Sequence, residues 1–349
     1  MQGKITAKMI AEELGVSTAT VDRVLNNRKG VSEKTIKRVK EKADELGYRP
    51  NTAAKFLSTQ KRTEVGFILP VLPEYFWDEV EKAIEKSAEL YADFGFGAHI
   101  HRVEALPKER QINYIKKMIE NNPYDALVIS PIDADPFTEV INEGIQRGIP
   151  IFTLNNDVPK SNRISFVGGD YYQAGFLAAE LIYLFAKELN EVILIREDED
   201  SFQMANKEKG FRDYFQFNGL NIKIKTIPVI SDHIQLDEVW KKEILRSTNA
   251  IYVANGILGE IAEYLHENQY NDSKILIGHD MSEKIYQYIE RQIVRATICQ
   301  DPASQAMITV QNVFDYLLQG DKELNAETII KLEIVTKANA QYYINFDKN

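Results

Sequence analysis

Apolar positions at spacings of three and four recur in three short runs within the first fifty residues. Ile10, Ala11 and Leu14 share one helical face, with Thr6 placed to cap its first turn and Gly15 to supply the left-handed residue that ends it. Ser17 caps a second helix two residues later. Val21, Val24 and Leu25 form its inward face, and Thr18, Ala19, Asp22, Arg23 and Asn26 its outward face. A third helix opens at Ser32, where Val31 and Ile36 are set to form a hydrophobic staple. Its stripe is Ile36, Val39, Ala43 and Leu46, and Gly47 closes it. Three short helices with so tight a first turn predict a helix-turn-helix, a motif whose second helix enters the DNA major groove. Pro50 stops the third helix, and Asn51 can cap a further short helix on which Ala54 and Leu57 share a face. That helix is too short to be stable alone.

From Val65 onward short apolar runs alternate with amphipathic stretches. Val65–Leu69, Ala126–Ser130, Ile151–Leu154, Val192–Ile195, Ala250–Val253 and Ile275–Ile277 read as buried parallel strands. Glu74–Ala92, Lys108–Asn121, Tyr171–Leu189, Lys207–Phe217, Gly256–Glu267 and Pro302–Gln319 read as helices. Repeated strand–helix alternation predicts a doubly wound α/β fold, and its length favours two lobes, each with a parallel sheet. The expected division is a helical head at 1–49, a hinge helix and linker at 50–62, and a two-lobed body at 63–349. Lobe 1 would span about 63–156 and 301–331, and lobe 2 about 157–300 and 332–349, with crossings near Asn155–Pro159, Gln300 and Lys331–Val335.

Composition alters this picture in one respect. The net charge of −10 argues against a nucleic-acid partner, but residues 1–62 hold fourteen lysines and arginines against seven acids, and the remainder twenty-eight against forty-five. A basic head on an acidic body is the footprint of a localised polyanion contact; a merely solvated basic face is the alternative. The one cysteine, Cys299, excludes an internal disulfide and a cysteine-based zinc cluster, and fits a reducing compartment. No apolar leader opens the chain and no run is long enough to span a membrane, so a cytoplasmic location is expected.

In open α/β sheets ligands bind beyond the carboxyl ends of the strands. Here those ends carry Tyr75-Phe76-Trp77, Ser130-Pro-Ile-Asp133, Asn155-Asn156-Asp157, Asn255, Asp280 and Gln300. Carboxylates and amides exchange hydrogen bonds with hydroxyls while aromatic faces cover a sugar ring, so the set suggests a carbohydrate cleft; the plainer alternative is that these residues cap helices.

The run ITAKMIAEELGVSTATVDRVLNNRKGVSEKTIKRVKEKADELGYRPNTAAKFL, Ile5 to Leu57, resembles the head of the LacI/GalR family of bacterial regulators. The resemblance implies that Thr18, Ala19 and Arg23 hold base-reading positions, with Thr6, Ser17, Thr20, Asp22 and Asn26 completing the DNA-facing set. Arg23 can present a bidentate fork to a guanine edge. Asp22 stands where the family often has Ser or Thr, and either reads a cytosine amino group or pairs with a neighbouring base. The resemblance further implies that 51–57 is a hinge helix that pairs with its dimer mate in the minor groove, with Ala54 as the small packing residue and Leu57 as the wedge. The body is similar to type I periplasmic sugar-binding proteins. LVISPIDAD, VANGILGE, IGHD and TICQDP place Asp133, Asn255, Asp280 and Gln300 among the effector contacts. Tyr75 and Phe76 fall near the ring-stacking aromatics, and Asn155 joins them from its strand end. Gly256 replaces the family's usual Asp after Asn255. Lys207, in MANKEKGF, stands where the family usually has an arginine and lacks that residue's fork.

The implied function is a sequence-specific DNA-binding transcriptional regulator, a repressor under allosteric control by a carbohydrate effector. Its partners would be double-stranded operator DNA and a second copy of the chain. No long heptad segment follows Lys337, which favours a dimer over a tetramer. No cofactor or metal is expected. The alternative is a sugar-binding protein or carbohydrate-acting enzyme whose head does not bind DNA. Against an enzyme, the chain has no G-x-S-x-G, P-loop or G-x-G-x-x-G motif. Gly95-Phe-Gly97 is too short for the last of these, and His99 and His101 share a strand face without a third metal ligand. Cys299 reads as a small buried hydrophobe.

Overall fold

A computed structural model describes residues 5–25, 29–48, 62–104, 107–133, 135–197, 201–229, 249–269, 274–320 and 323–344. The chain divides into two units, Met1–Gln60 and Lys61–Asn349.

In the first unit lie α1 (Ala7–Leu14), α2 (Thr18–Leu25) and α3 (Glu33–Glu45). Each start is held by the hydroxyl that the pattern predicts. Thr6 Oγ1 accepts from Met9 N at 3.3 Å, Ser17 Oγ from Thr20 N at 3.1 Å and Ser32 Oγ from Thr35 N at 3.3 Å. Gly15 closes α1 at φ +64°, its N–H shared between Ala11 O and Glu12 O. Ile10, Ala11, Val21, Val24, Val39 and Ala43 are buried where the helices meet. Arg38 Nη2 donates to Leu14 O at 3.3 Å, tying α3 to the end of α1.

The second unit contains two sheets. Strands β1 (Thr63–Pro70), β2 (Phe96–Val103), β3 (Ala126–Ile129), β4 (Ile151–Leu154) and β5 (Phe166–Gly169) precede β6 (Glu191–Glu197), β7 (Lys223–Val229), β8 (Ala250–Val253) and β9 (Ile275–His279). After them come β10 (Val294–Cys299), β11 (Glu327–Ile330) and β12 (Glu333–Val335). One six-stranded sheet has the order β11-β5-β4-β3-β1-β2 and the other β12-β10-β9-β8-β6-β7. Neighbours run parallel, except that β12 pairs antiparallel with β10.

Both faces of each sheet are covered, which is why six of their inner strands read as apolar runs. Val65, Phe67 and Leu69 of β1 pack with α4 (Glu74–Glu89) and α11 (Pro302–Phe314), while Ile68 points the other way, toward α5 (Lys108–Asn121) and α6 (Asp135–Gln146). In the second lobe Val192 and Leu194 face α7 (Tyr171–Phe185) and α8 (Phe202–Phe217). Ile193 and Ile195 face α9 (Leu258–Glu267) and α10 (Glu283–Glu290). The six expected strands all lie inside the sheets; the strands that the apolar pattern did not mark include the outer β2, β7, β11 and β12 together with β5 and β10.

One crossing differs from expectation. β5 pairs with β4 and β11 in the first sheet, so the chain stays in lobe 1 through Gly169 and leaves it at α7 rather than near Asn155–Pro159. The cause is legible afterwards: Phe-Val-Gly-Gly is too short and too glycine-rich to register as an apolar run. The other two crossings fall between β10 and α11 and between β11 and β12.

Two glycines set the position of α8. A Cβ at Gly175 would overlap the Lys207 carbonyl, and one at Gly210 the Tyr172 carbonyl, so only bare backbone allows α7 and α8 this close. That approach fixes Lys207 on the inner side of α8.

Candidate functional site

On the head, the exposed face of α2 presents Ser17, Thr18, Ala19 and Arg23, with Thr20 and Asp22 half-buried. Ser17 Oγ and Thr20 Oγ1 lie 2.8 Å apart, and Thr6 is engaged as the α1 cap. Asp22 sits close enough to Tyr48 that, after burial, its charge is the second cause raising the phenol above its usual range. Arg23, Lys29, Lys34, Arg38 and Lys40 are exposed on the same small unit. Asn26, Asn51, Ala54 and Leu57 lie outside the described residues.

In the body a cavity of about 720 Å³ opens between the lobes at the carboxyl ends of their strands. Tyr75, Phe76, Asn155, Lys207, Asn255, Asp280 and Gln300 all line it. Tyr75 leans on the cores of both lobes, and its hydroxyl donates to Gly256 O at 3.4 Å. Gly256 leaves no room for a side chain, since a Cβ there would meet Pro73 Cγ at 2.8 Å. Gly256, one of the residues that depart from the family pattern, is therefore a point where the two sides of the cleft come close.

The polar wall is chained together. Gln300 Nε2 donates to Asp280 Oδ1 at 2.9 Å, and Gln300 Oε1 accepts from Asn155 Nδ2 at 3.2 Å. Asn155 Nδ2 also reaches Gln305 Oε1 at 3.2 Å, and its carbonyl accepts from the Tyr171 hydroxyl. Lys207 is 2% exposed, and its Nζ donates to Ala254 O at 2.9 Å and lies 5.7 Å from the Tyr171 ring centre. Burial pulls its ammonium down to about 8, against the upward influence of Asp280 and Glu197. Burial likewise pushes the Asp280 carboxyl up, opposed by Lys207 and the Gln300 bond. Asn255 is 4% exposed, and neither of its side-chain polar atoms has a hydrogen-bond partner. A buried amide left wholly unpaired is costly, and this one faces the cavity.

Asp133 is the exception among the expected contacts. It does not line the cavity; its carboxylate accepts from Asp135 N at 3.3 Å and pairs with Lys108 at 3.2 Å. Turning back to the start of α6 satisfies one of that helix's free N–H groups and removes the side chain from the cleft. Asp157 is withdrawn too, buried against Arg163 with Nη2 to Oδ2 at 2.7 Å. Asn156, Glu197, Ser201, Gln203 and Met204 also line the cavity, and of these five only Asn156 was named among the strand-end residues of the sequence. Asn156 and Glu197 stand at strand ends, so the rule that found Asn155 reaches them; the other three sit at the α8 start, which the apolar pattern placed later.

His101 is held between the Tyr124 and Tyr114 hydroxyls at 2.7 and 2.9 Å, and His99 Nε2 lies 2.7 Å from Glu64 Oε2. Among the described residues no group of three or more His, Cys, Asp or Glu is arranged to hold a metal, and no helix is long and apolar enough to cross a membrane. Burial raises the Cys299 thiol well above its usual range, the opposite of what a nucleophile needs.

Residues 65–322 match the periplasmic binding protein domain, and residues 6–51 match the bacterial regulatory proteins of the lacI family. The HTH-type transcriptional regulator RegA of Clostridium saccharobutylicum is 29% identical over 254 residues, covering 66% of this chain and 75% of that one. Catabolite control protein A of Priestia megaterium is 27% identical over 219 residues, 63% of each chain, so the match spans less than two thirds of that relative. Among solved structures, a LacI transcriptional regulator from Bacteroides fragilis superposes with a TM-score of 0.75 at 23% identity, covering 81% of this chain and 100% of that one. That likeness supports the two-lobed α/β fold.

Proposed function

Because this chain belongs to the lacI family of bacterial regulatory proteins, we propose that it acts as a repressor whose operator affinity is set by a sugar or sugar derivative held between its two lobes. It is a DNA-binding transcriptional regulator with a periplasmic binding protein domain. The observation that carries the effector half of the reading is the interlobe cavity, where the unpaired amide of Asn255 stands beside Lys207 and Asp280. The DNA half rests on the exposed Thr18, Ala19 and Arg23 of α2.

In this reading α2 lies in the major groove. Arg23 reads a guanine, Thr18 and Ala19 meet neighbouring base edges, and Thr6, Ser17, Thr20, Asp22 and Asn26 support or flank that contact. Asn51, Ala54 and Leu57 supply the hinge that enters the minor groove. Two half-sites call for two heads, so the working unit is a homodimer in the cytoplasm. Ligand bound by both lobes favours one lobe arrangement over another, and DNA affinity follows through the linker. The reading assigns no turnover to the cleft.

The experiment compares the full chain with a fragment beginning at Thr63, on duplexes selected by the full chain from a random pool. The full chain should bind with a steep salt dependence, since displaced counterions drive association. The fragment should lose DNA binding and keep ligand binding. A fragment that still bound the selected duplex would overturn the assignment of the head.

A further inference from the structure

Resting on that reading of the cleft, we infer that its ligand is an uncharged polyhydroxylated molecule, an unphosphorylated sugar, and that sugar phosphates are excluded. The first observation is the state of the wall. Asn155, Gln300 and Asp280 are already joined to one another, and Lys207 already gives one hydrogen to Ala254 O. Among the described residues, Asn255 alone offers a buried open acceptor and a buried open donor. A ligand that completes it must donate and accept at adjacent points. A pair of sugar hydroxyls does both, so the open amide calls for a polyhydroxylated ligand, and the case against its phosphate rests on the charge around the site.

The second observation is charge. At the centre of the cleft Lys207 and Asp280 balance each other, so a neutral ligand meets no net charge there. The other cation of the described lining, Arg110, is paired with Glu104. Glu74 and Glu197 add two further carboxylates, and Glu260 a third that is paired with Lys284. A phosphate would face this acidic rim in a site where water screens poorly. The third observation is the apolar part of the lining: Tyr75, Phe76, Met204 and Ile257 offer surface suited to the C–H face of a sugar ring.

The test is calorimetric titration of the full-length chain with D-glucose, D-galactose, D-arabinose, maltose and sucrose, and with glucose 6-phosphate, galactose 6-phosphate and sucrose 6-phosphate, repeated for Asn255→Leu. At least one uncharged sugar should bind, and its phosphate should bind at least roughly 30-fold more weakly. Asn255→Leu should lose the sugar by a similar factor while melting no lower than wild type, because it replaces an unpaired buried amide with an apolar group of similar size. A phosphate that binds as tightly as its parent sugar, or undiminished sugar binding by Asn255→Leu, overturns this inference and leaves the effector reading in place. If neither class binds, both fall.

Discussion

The head and the body hold themselves together on different scales. Among the described residues, six buried side chains secure the three helices of the head, whereas each sheet of the body is enclosed between two apolar clusters of its own. A small unit buries a smaller share of its surface and has little stability to spare. The difference teaches that DNA reading and ligand binding can fail separately, and that the head fails first.

Truncating Ile10 to Ala sharpens this contrast most. Loss of a fully buried side chain from so small a core should cost roughly 2–5 kcal/mol, comparable to the whole stability of a marginal unit. Circular dichroism and DNA binding should report a melted head, while the body's thermal transition and ligand affinity stay unchanged. The same truncation at Ile251, buried in a body cluster, should lower the body's transition and leave it folded. If Ile10→Ala also shifted the body's transition, the two units would not be independent.

Arg23→Ala acts at the surface of the head and should leave its melting unchanged. It should cost roughly 1–3 kcal/mol at one base pair of the selected duplex. An equal loss across all sequences would make Arg23 a phosphate contact instead.

A further effect belongs to the body and appears only with pH. Lys207 titrates near 8 in the folded chain and near 10.5 when unfolded, because burial disfavours its charge. Between those values the unfolded chain holds a proton that the folded chain has released, so stability from this group rises with pH across the window. The slope is at most about 1.4 kcal/mol per pH unit. Urea unfolding of wild type and Lys207→Met at several pH values from about 7 to 10 should show the mutant without that contribution; an unchanged slope would remove Lys207 from its assigned role.

The head was legible because its signals are local. Thr6, Ser17 and Ser32 each bond an N–H three residues on, and Gly15 ends α1 by its own conformation. Six of the inner strands were legible because burial on both faces leaves them almost wholly apolar. β5 was not, since Phe-Val-Gly-Gly earns its place from its pairing with β4 and β11 rather than from composition. In the cleft the strand-end rule brought Asn155, Asn255, Asp280 and Gln300 to one wall, but it could not say which way a side chain turns. Asp133 turns to Lys108 and the start of α6, a choice set by neighbours distant in sequence.

The central claim is that cleft and head are thermodynamically linked. Operator DNA should be titrated with and without the sugar that binds, for wild type and for Asp280→Asn, a substitution that removes the charge at φ +65° without forcing a branched or bulky residue into the left-handed region. Wild type should show a shift in DNA affinity of roughly 5–150-fold, a coupling of about 1–3 kcal/mol that ligand affinity mirrors when DNA is bound. Asp280→Asn should keep the ligand-free DNA affinity and lose the shift. A wild-type DNA affinity indifferent to saturating sugar, or a mutant that keeps the full response, would contradict the account.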